Sequence, residues 1–177
     1  MNAATIDRFK ALTAMPAVCL AAAALAAAAM LGAALTFQYV GGLFPCELCI
    51  WQRWPYGGVI AVGGIGAAAL RGAARPGPLA IVLGAVIALL FLADAGIAQF
   101  HVGVEQGWWQ GTEACVGTGV DADDLEALRK AILEAPSVRC DEVVWSLFGL
   151  SMAAWNGLIA LGLAAVSAAV LWRWRQS

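Results

Sequence analysis

Charge is scarce in this sequence: Asp, Glu, Lys and Arg together make up 12% of the 177 residues, and there is one histidine. Soluble domains contain about 25% charged and about 45–50% apolar residues, whereas 62% of this chain is hydrophobic. The composition therefore disfavours a soluble enzyme. A net charge of −2 and the lack of any basic run also disfavour a disordered chain and a nucleic-acid-binding protein.

The apolar residues that are present form long blocks, which is the pattern of a multi-span membrane protein. A helix needs about 20 apolar residues to cross about 30 Å of hydrocarbon. The segments that meet this requirement are 14–36, 54–70, 79–98 and 151–172. The second is short and rich in glycine, which permits close helix contact in lipid. The sequence predicts an all-α membrane protein, a four-transmembrane-helix bundle that forms a single integral membrane domain over 1–177.

The basic residues predict the orientation of this bundle, because short cytoplasmic loops accumulate Lys and Arg. Six of the ten basic residues lie at the two ends and in the 71–78 loop. Both termini are therefore expected on the cytoplasmic side, with loops 37–53 and 99–150 on the outer side. The first apolar stretch exceeds the roughly 7–15 residues of a signal-peptide core, so a cleaved signal is not expected.

The longer outer loop contains a segment with helical periodicity. Asp121 to Ala135 places apolar residues on one face, begins with acids and is followed by Pro136. The pattern predicts a short amphipathic helix, which either lies flat on the membrane or packs on neighbouring loop residues. In the third span, Asp94 is costly in lipid and should face a partner or a cavity; its role stays open at this point.

The cysteines are concentrated on the outer side. Cys46 and Cys49 lie in the first outer loop, Cys115 and Cys140 in the second, and Cys19 lies within a span. Disulfides persist in oxidising compartments. The Cys46-Glu47-Leu48-Cys49 segment is a C-x-x-C motif, in which two close sulfurs cycle between dithiol and disulfide and one thiol has a lowered pKa.

The residues around this motif favour an activated thiol. Pro45 suits the first position of a helix, which would put both cysteines near its first turn, where unpaired N–H groups favour a thiolate. Arg53 follows Cys49 by four residues and would share its helix face. Pro55 argues against one continuous helix; if the helix begins anew near residue 54, a loop sets the spacing between Cys49 and Arg53. Arg53 could also be an interfacial basic anchor.

The second cysteine pair has two open interpretations. A Cys115–Cys140 disulfide could be a structural staple worth about 3 kcal/mol, or a mobile loop could exchange disulfides with the first pair or with a visiting protein. Four outer cysteines permit three connectivities. A zinc site made of all four is disfavoured, because only one pair has short spacing. His101 is either a structural histidine or a proton partner near the C-x-x-C.

The motif and its context resemble a known family. The segment from Phe44 to Arg53 is similar to the P-C-x-L-C-x-x-x-R signature of the disulfide bond formation protein B (DsbB) family. The similarity extends to His101-Val102-Gly103-Val104-Glu105, to Trp108-Trp109 before Cys115, and to the segment from Trp145 to Met152 after Cys140. Together with the spans and outer cysteines, the resemblance covers nearly the whole chain.

The resemblance implies a multi-pass thiol oxidase of the bacterial inner membrane. Such a protein re-oxidises a periplasmic thioredoxin-fold dithiol oxidase (DsbA-like) and passes the electrons to membrane quinone, either ubiquinone or menaquinone. It implies that Cys115 forms the mixed disulfide with the partner, that Cys140 resolves it and that Cys46 exchanges with the second pair.

It also implies that Cys49 faces the quinone, that Arg53 binds it in a lipid-side pocket and that His101 lies near the ring. No metal is required. The alternative is a non-catalytic four-helix membrane protein whose loops carry structural disulfides or a zinc site.

Overall fold

The computed structural model describes residues 15–112, Cys115, Arg129 and residues 139–176. The elements in this part of the chain are α1 (Pro16–Tyr39), α2 (Glu47–Trp51), α3 (Arg53–Ala69), α4 (Pro78–Glu105), β1 (Ser146–Leu147), β2 (Leu150–Ser151) and α5 (Met152–Gln176). The predicted amphipathic helix at 121–135 lies outside the described residues, except for Arg129.

The protein is mostly helical, and three of its described helices are long and apolar enough to cross a membrane. These are α1, α4 and α5, which correspond to the predicted spans 14–36, 79–98 and 151–172. Helix α3 coincides with the predicted span 54–70 to within one residue at each end, but it has 17 residues. At 1.5 Å per residue its length is about 26 Å, somewhat less than the roughly 30 Å of hydrocarbon.

Helix α4 is longer than its apolar segment. The predicted span ends at residue 98, whereas the helix continues to Glu105. Hydropathy falls at Gln99 because polar side chains follow, but the backbone hydrogen bonds of a helix continue regardless of side-chain polarity. The extension places His101 and Glu105 four residues apart on one helix face.

The long helices pack as two pairs, and the contact between α3 and α4 connects one pair to the other. Helix α1 packs mainly on α3, and α4 packs mainly on α5. The core between them includes Leu20, Val59, Ile87 and Phe91, each almost fully buried. At Gly63 the backbones of α1 and α3 come so close that a Cβ atom would lie 2.7 Å from the Leu20 carbonyl oxygen.

A helix break separates the C-x-x-C segment from α3. Helix α2 ends at Trp51 and α3 begins at Arg53, so the continuous helix from Pro45 does not form. Pro45 itself precedes the N-cap, Cys46, and the expectation that it is the first helical residue is wrong. Pro55 lies in the first turn of α3, where the missing N–H displaces no intrahelical hydrogen bond.

A short β-hairpin leads into α5, which the all-α prediction did not include. Ser146 pairs with Ser151, and Leu147 pairs with Leu150. The two turn residues have positive φ angles, 52° at Phe148 and 78° at Gly149, as tight hairpin turns require. Ser151 Oγ accepts the backbone N–H of Ala154 at 3.1 Å, which caps the start of α5.

The contact at Gly63 leads to a test of the packing between α1 and α3. Gly63→Val should destabilise the protein by about 1–3 kcal/mol, because overpacking forces the two backbones apart. The matched control is Gly64→Val, since a Cβ atom at Gly64 meets nothing within 4 Å. Thermal unfolding in detergent should show a lower melting temperature for the Gly63 variant alone. Equal melting temperatures would contradict the packing described here.

Candidate redox site

The two cysteines of the C-x-x-C motif lie at the start of α2, outside the long apolar helices. Cys46 is the N-cap residue, and its Sγ accepts the backbone N–H of Cys49 at 3.3 Å. A side chain that accepts such an N–H stabilises the first turn of a helix. Both cysteines are free thiols, and their Sγ atoms are 3.0 Å apart. The capped turn thus holds the two sulfurs close together, as the motif predicts.

The two sulfurs differ in their electrostatic surroundings. The hydrogen bond from the Cys46 thiol lowers the pKa of Cys49 to about 7 against the opposing effect of burial, and the Arg53 guanidinium also lowers it. The same hydrogen bond and burial raise the pKa of Cys46, while the hydrogen bond to His101 opposes this. Because the thiolate is the nucleophile, Cys49 is the more reactive sulfur near neutral pH.

Arg53 is the first residue of α3, and its guanidinium has one nitrogen that donates a hydrogen bond and another that lacks an acceptor. Nη1 donates to Gln38 Oε1 of α1 at 2.7 Å. Nε is buried and has no hydrogen-bond partner within the described parts of the chain. A buried donor without an acceptor costs about 1–3 kcal/mol. The Arg53 Nε–H is therefore suited to an acceptor oxygen of a ligand.

His101 lies on α4 against the first cysteine pair. Its Nε2 is 3.5 Å from Cys46 Sγ, and its Nδ1 is 2.9 Å from Gln52 Nε2. The side chain is almost fully buried, and Glu105, one turn further along, has a carboxylate oxygen 3.9 Å from Nε2. The structure therefore brings His101 into the site with the C-x-x-C cysteines.

Cys115 and Cys140 form a disulfide bond, which selects one of the three possible connectivities. Both residues are at most 1% exposed. They belong to one buried cluster with Cys46, Leu48 and Val104, and Cys49 packs against that cluster. The two sulfur pairs therefore lie together at one end of the helices, and thiol–disulfide exchange requires such proximity.

Glu47, between the two cysteines of the motif, connects α2 to the second pair. The hydroxyl of Thr112 donates to Glu47 Oε2 and lies 3.2 Å from Cys115 Sγ. Glu47 Oε2 is 3.8 Å from the same sulfur. The sequence interpretation did not use Glu47, although an acid inside a C-x-x-C motif is a visible signal. Glu47 thus links the C-x-x-C motif to the chain segment that contains Thr112 and Cys115.

Sequence reasoning also missed two amide side chains, Gln52 and Asn156. Asn156 Nδ2 donates to Gln52 Oε1 at 2.7 Å and to Asp94 Oδ2 at 3.0 Å. A polar side chain within an apolar span is costly without a partner. That argument singled out Asp94, and the same argument applied to Asn156 would have paired the two. Asp94 Oδ2 thus has a partner on the facing helix, whereas Asp94 Oδ1 has none within the described chain.

A group of three potential metal ligands lies in the described structure. The donor atoms of Cys46, Cys49 and His101 are all within 4.8 Å of one another. The disulfide between Cys115 and Cys140 excludes a zinc site made of all four loop cysteines, which the spacing already disfavoured. Zinc binds cysteine as the thiolate, so a sulfur in a disulfide bond is not a zinc ligand.

A cavity of about 290 Å³ opens beside the C-x-x-C motif. Its walls are mostly apolar and include Met30, Phe37, Leu147 and Ile159. Polar groups at the cavity come from both cysteines of the motif and from Gln52, Arg53, His101, Glu105 and Asn156. An apolar cavity with a few convergent polar groups is the usual form of a small-molecule site.

Comparison with known proteins places this arrangement in a family. The family model described as "Disulfide bond formation protein DsbB" matches residues 16–170. Disulfide bond formation protein B of Aromatoleum aromaticum is 32% identical over 151 residues, which cover 79% of this chain and 82% of the relative. The protein of the same name from Methylococcus capsulatus is 35% identical over 150 residues, 79% of this chain and 84% of the relative. The chain belongs to the disulfide bond formation protein DsbB family.

Proposed function

We propose that this protein is a quinone-dependent thiol oxidase of the bacterial inner membrane. It takes two electrons from a periplasmic DsbA-like dithiol protein and passes them through its two cysteine pairs to a membrane quinone. The observation that carries the proposal is the placement of both sulfur pairs in one buried cluster beside an apolar cavity.

The residues at the cavity fit the head group of a quinone. A quinone ring is flat and apolar apart from two carbonyl oxygens, which accept hydrogen bonds. The apolar walls suit the ring, and the buried Nε–H of Arg53 lacks an acceptor within the described chain. Arg53 and His101 would hold the ring, with Cys49 as the adjoining sulfur. A bound quinone supplies an acceptor for two electrons and two protons.

The sulfur chemistry balances over one cycle. A thiolate of the partner attacks Cys115, which breaks the Cys115–Cys140 bond and leaves Cys140 as a thiolate. Cys140 attacks Cys46 of the oxidised first pair, and Cys49 leaves as a thiolate. The second thiol of the partner then releases Cys115, which attacks Cys140 and frees Cys46. The partner is now a disulfide, the Cys115–Cys140 bond is re-formed, and the first pair holds two electrons as thiols.

The environments of the two first-pair sulfurs suit these roles. A good leaving group in disulfide exchange has a low pKa, and the pKa of Cys49 is lowered to about 7. Cys46 packs in the same buried cluster as the second pair. These differences assign disulfide exchange with the second pair to Cys46 and electron transfer towards the cavity to Cys49.

We also propose that α3 is the fourth membrane span and that the whole chain is one integral domain with both termini in the cytoplasm. The close packing of α1 on α3 at Gly63 supports placing α3 in the bundle. Its length deficit of a few ångströms is within what a bilayer accommodates by local thinning. Arg71, which follows α3, and Arg173 and Arg175 at the end of α5 follow the rule that basic residues stay inside.

Cys49→Ser should abolish reduction of quinone by a reduced dithiol partner, since the proposed donor sulfur is removed. Cys19→Ser is the matched control, because Cys19 lies in α1 and takes no part in the scheme. The measurement is the absorbance change of a soluble quinone analogue with purified protein. Continued turnover by the Cys49 variant would remove Cys49 from the mechanism.

Arg53→Met should raise the apparent KM for quinone about tenfold to a hundredfold, the value of a hydrogen bond from a charged group. Arg71→Met, at the exposed opposite end of α3, should leave the KM unchanged. Steady-state kinetics at varied quinone concentration distinguish the two variants. An unaltered KM in the Arg53 variant would show that the guanidinium does not bind the ring.

The pH dependence of thiol alkylation tests the low pKa of Cys49. In the reduced protein the alkylation rate should rise as the pH increases through about 7, because only the thiolate reacts. Cys46→Ala removes the S–H donor and should move this midpoint upward, towards the usual cysteine value of about 8.5. Mass spectrometry of the Cys49 peptide after brief iodoacetamide treatment follows the reaction. A wild-type midpoint already near the usual value would contradict the described electrostatics.

A further inference from the structure

A chain of polar side chains, buried except for the half-buried Asn156, runs from α4 through α5 and the N-cap of α3 towards the first sulfur pair. It begins at Asp94, which is 0% exposed, and passes through Asn156 and Gln52 to His101. The links are Asp94 Oδ2 to Asn156 Nδ2 at 3.0 Å, Asn156 Nδ2 to Gln52 Oε1 at 2.7 Å, and Gln52 Nε2 to His101 Nδ1 at 2.9 Å. The last contact is His101 Nε2 to Cys46 Sγ at 3.5 Å.

The chemistry of the groups gives this chain a direction. The Asn156 group that faces Asp94 Oδ2 is the NH₂ donor, at 3.0 Å. The hydroxyl of Tyr56 donates to Asn156 Oδ1 at 2.6 Å, which agrees with this orientation. The second hydrogen of the Asn156 amide then goes to Gln52, so the Gln52 group that faces it must be the oxygen.

The orientation of Gln52 determines the state of the imidazole. With its oxygen turned to Asn156, Gln52 presents its NH₂ group to His101 Nδ1. An amide nitrogen only donates, so Nδ1 must accept and carries no proton in the neutral ring. The proton of the neutral imidazole is then on Nε2, the nitrogen that faces Cys46.

We propose that Asp94 and Asn156 are positioning residues that act through Gln52 to hold His101 as the Nε2–H tautomer, with this N–H directed at the Cys46 sulfur. The N–H···S contact stabilises negative charge on Cys46. The proposal builds on the redox role proposed for Cys46, which becomes a thiolate when the second pair releases it. It accounts for Asp94, Asn156 and Gln52, whose polar groups would otherwise be costly in an apolar bundle.

The tautomer can be observed directly, because His101 is the only histidine of the chain. Selective ¹⁵N-histidine labelling of the detergent-solubilised protein, after removal of any affinity tag, therefore reports on this ring alone. We expect a protonated Nε2 and an unprotonated Nδ1 in the wild-type protein. Asp94→Asn keeps the shape but allows the amides to flip, so the Nδ1–H tautomer should become populated.

Gln52→Glu provides a second variant that does not alter the membrane interior at Asp94. A carboxylate beside Nδ1 accepts a hydrogen bond from an N–H group and cannot donate one, so this variant should convert His101 to the Nδ1–H tautomer or to the doubly protonated ring. Ser167→Ala is the matched control: Ser167 lies in α5 and bonds the Leu163 carbonyl of its own helix, so its removal should leave the spectrum unchanged. A wild-type ring protonated on Nδ1, or an unchanged spectrum in both Asp94→Asn and Gln52→Glu, would overturn the proposal.

The consequence for Cys46 has its own readout, which needs no quinone. In a Cys19→Ser, Cys49→Ser background, Cys46 is the remaining free thiol. At fixed pH, Asp94→Asn should slow its alkylation at least about tenfold, the loss expected for a hydrogen bond to a charged group. An unchanged rate would refute the assigned role at Cys46. The expected tautomer and the expected Cys46 reactivity, together with a lack of quinone reduction by the wild-type protein, would instead count against the proposed function.

Discussion

Hydrocarbon provides no hydrogen-bond partner, and this constraint governs every polar group that the bundle encloses. Asp94 is fully buried and is bonded by Asn156 from the facing helix α5. Arg53 reaches Gln38 on α1. Polar side chains of different helices therefore pair with one another next to the C-x-x-C motif and the cavity, while Arg53 Nε and Asp94 Oδ1 have no hydrogen-bond partner within the described chain.

The break between α2 and α3 has a second consequence for the chemistry. It leaves α2 as a short helix of five residues, capped by the sulfur of Cys46. The cysteines therefore lie at a helix start, outside the long apolar helices and against the Cys115–Cys140 disulfide. Two sulfurs three residues apart acquire different properties there, since Cys49 lies near Arg53 and Cys46 contacts His101.

Much of this architecture could be predicted from local sequence. The bounds of α3 follow from the apolar segment between Arg53 and Arg71, and the prediction missed each end by one residue. The end of α4 could not be predicted in this way, since hydropathy falls at Gln99 while the helix continues to Glu105. The hairpin at Ser146–Ser151 could not be predicted either, because strands of two residues have no periodicity to detect. Cys46, Cys49, Arg53 and His101 were identifiable from their residue types and the motif around them.

The sequence by itself determined the membrane character, the position of four cysteines between the apolar segments and the presence of a redox-type motif, because these depend on composition and short-range spacing. The tertiary structure decided which cysteines bond to each other, that both pairs share one buried cluster, and that Asp94 reaches His101 through two amides. Asp94 and Asn156 are 62 residues apart in the chain. Their contact depends on how α4 and α5 pack, and neither local periodicity nor residue type carries that information.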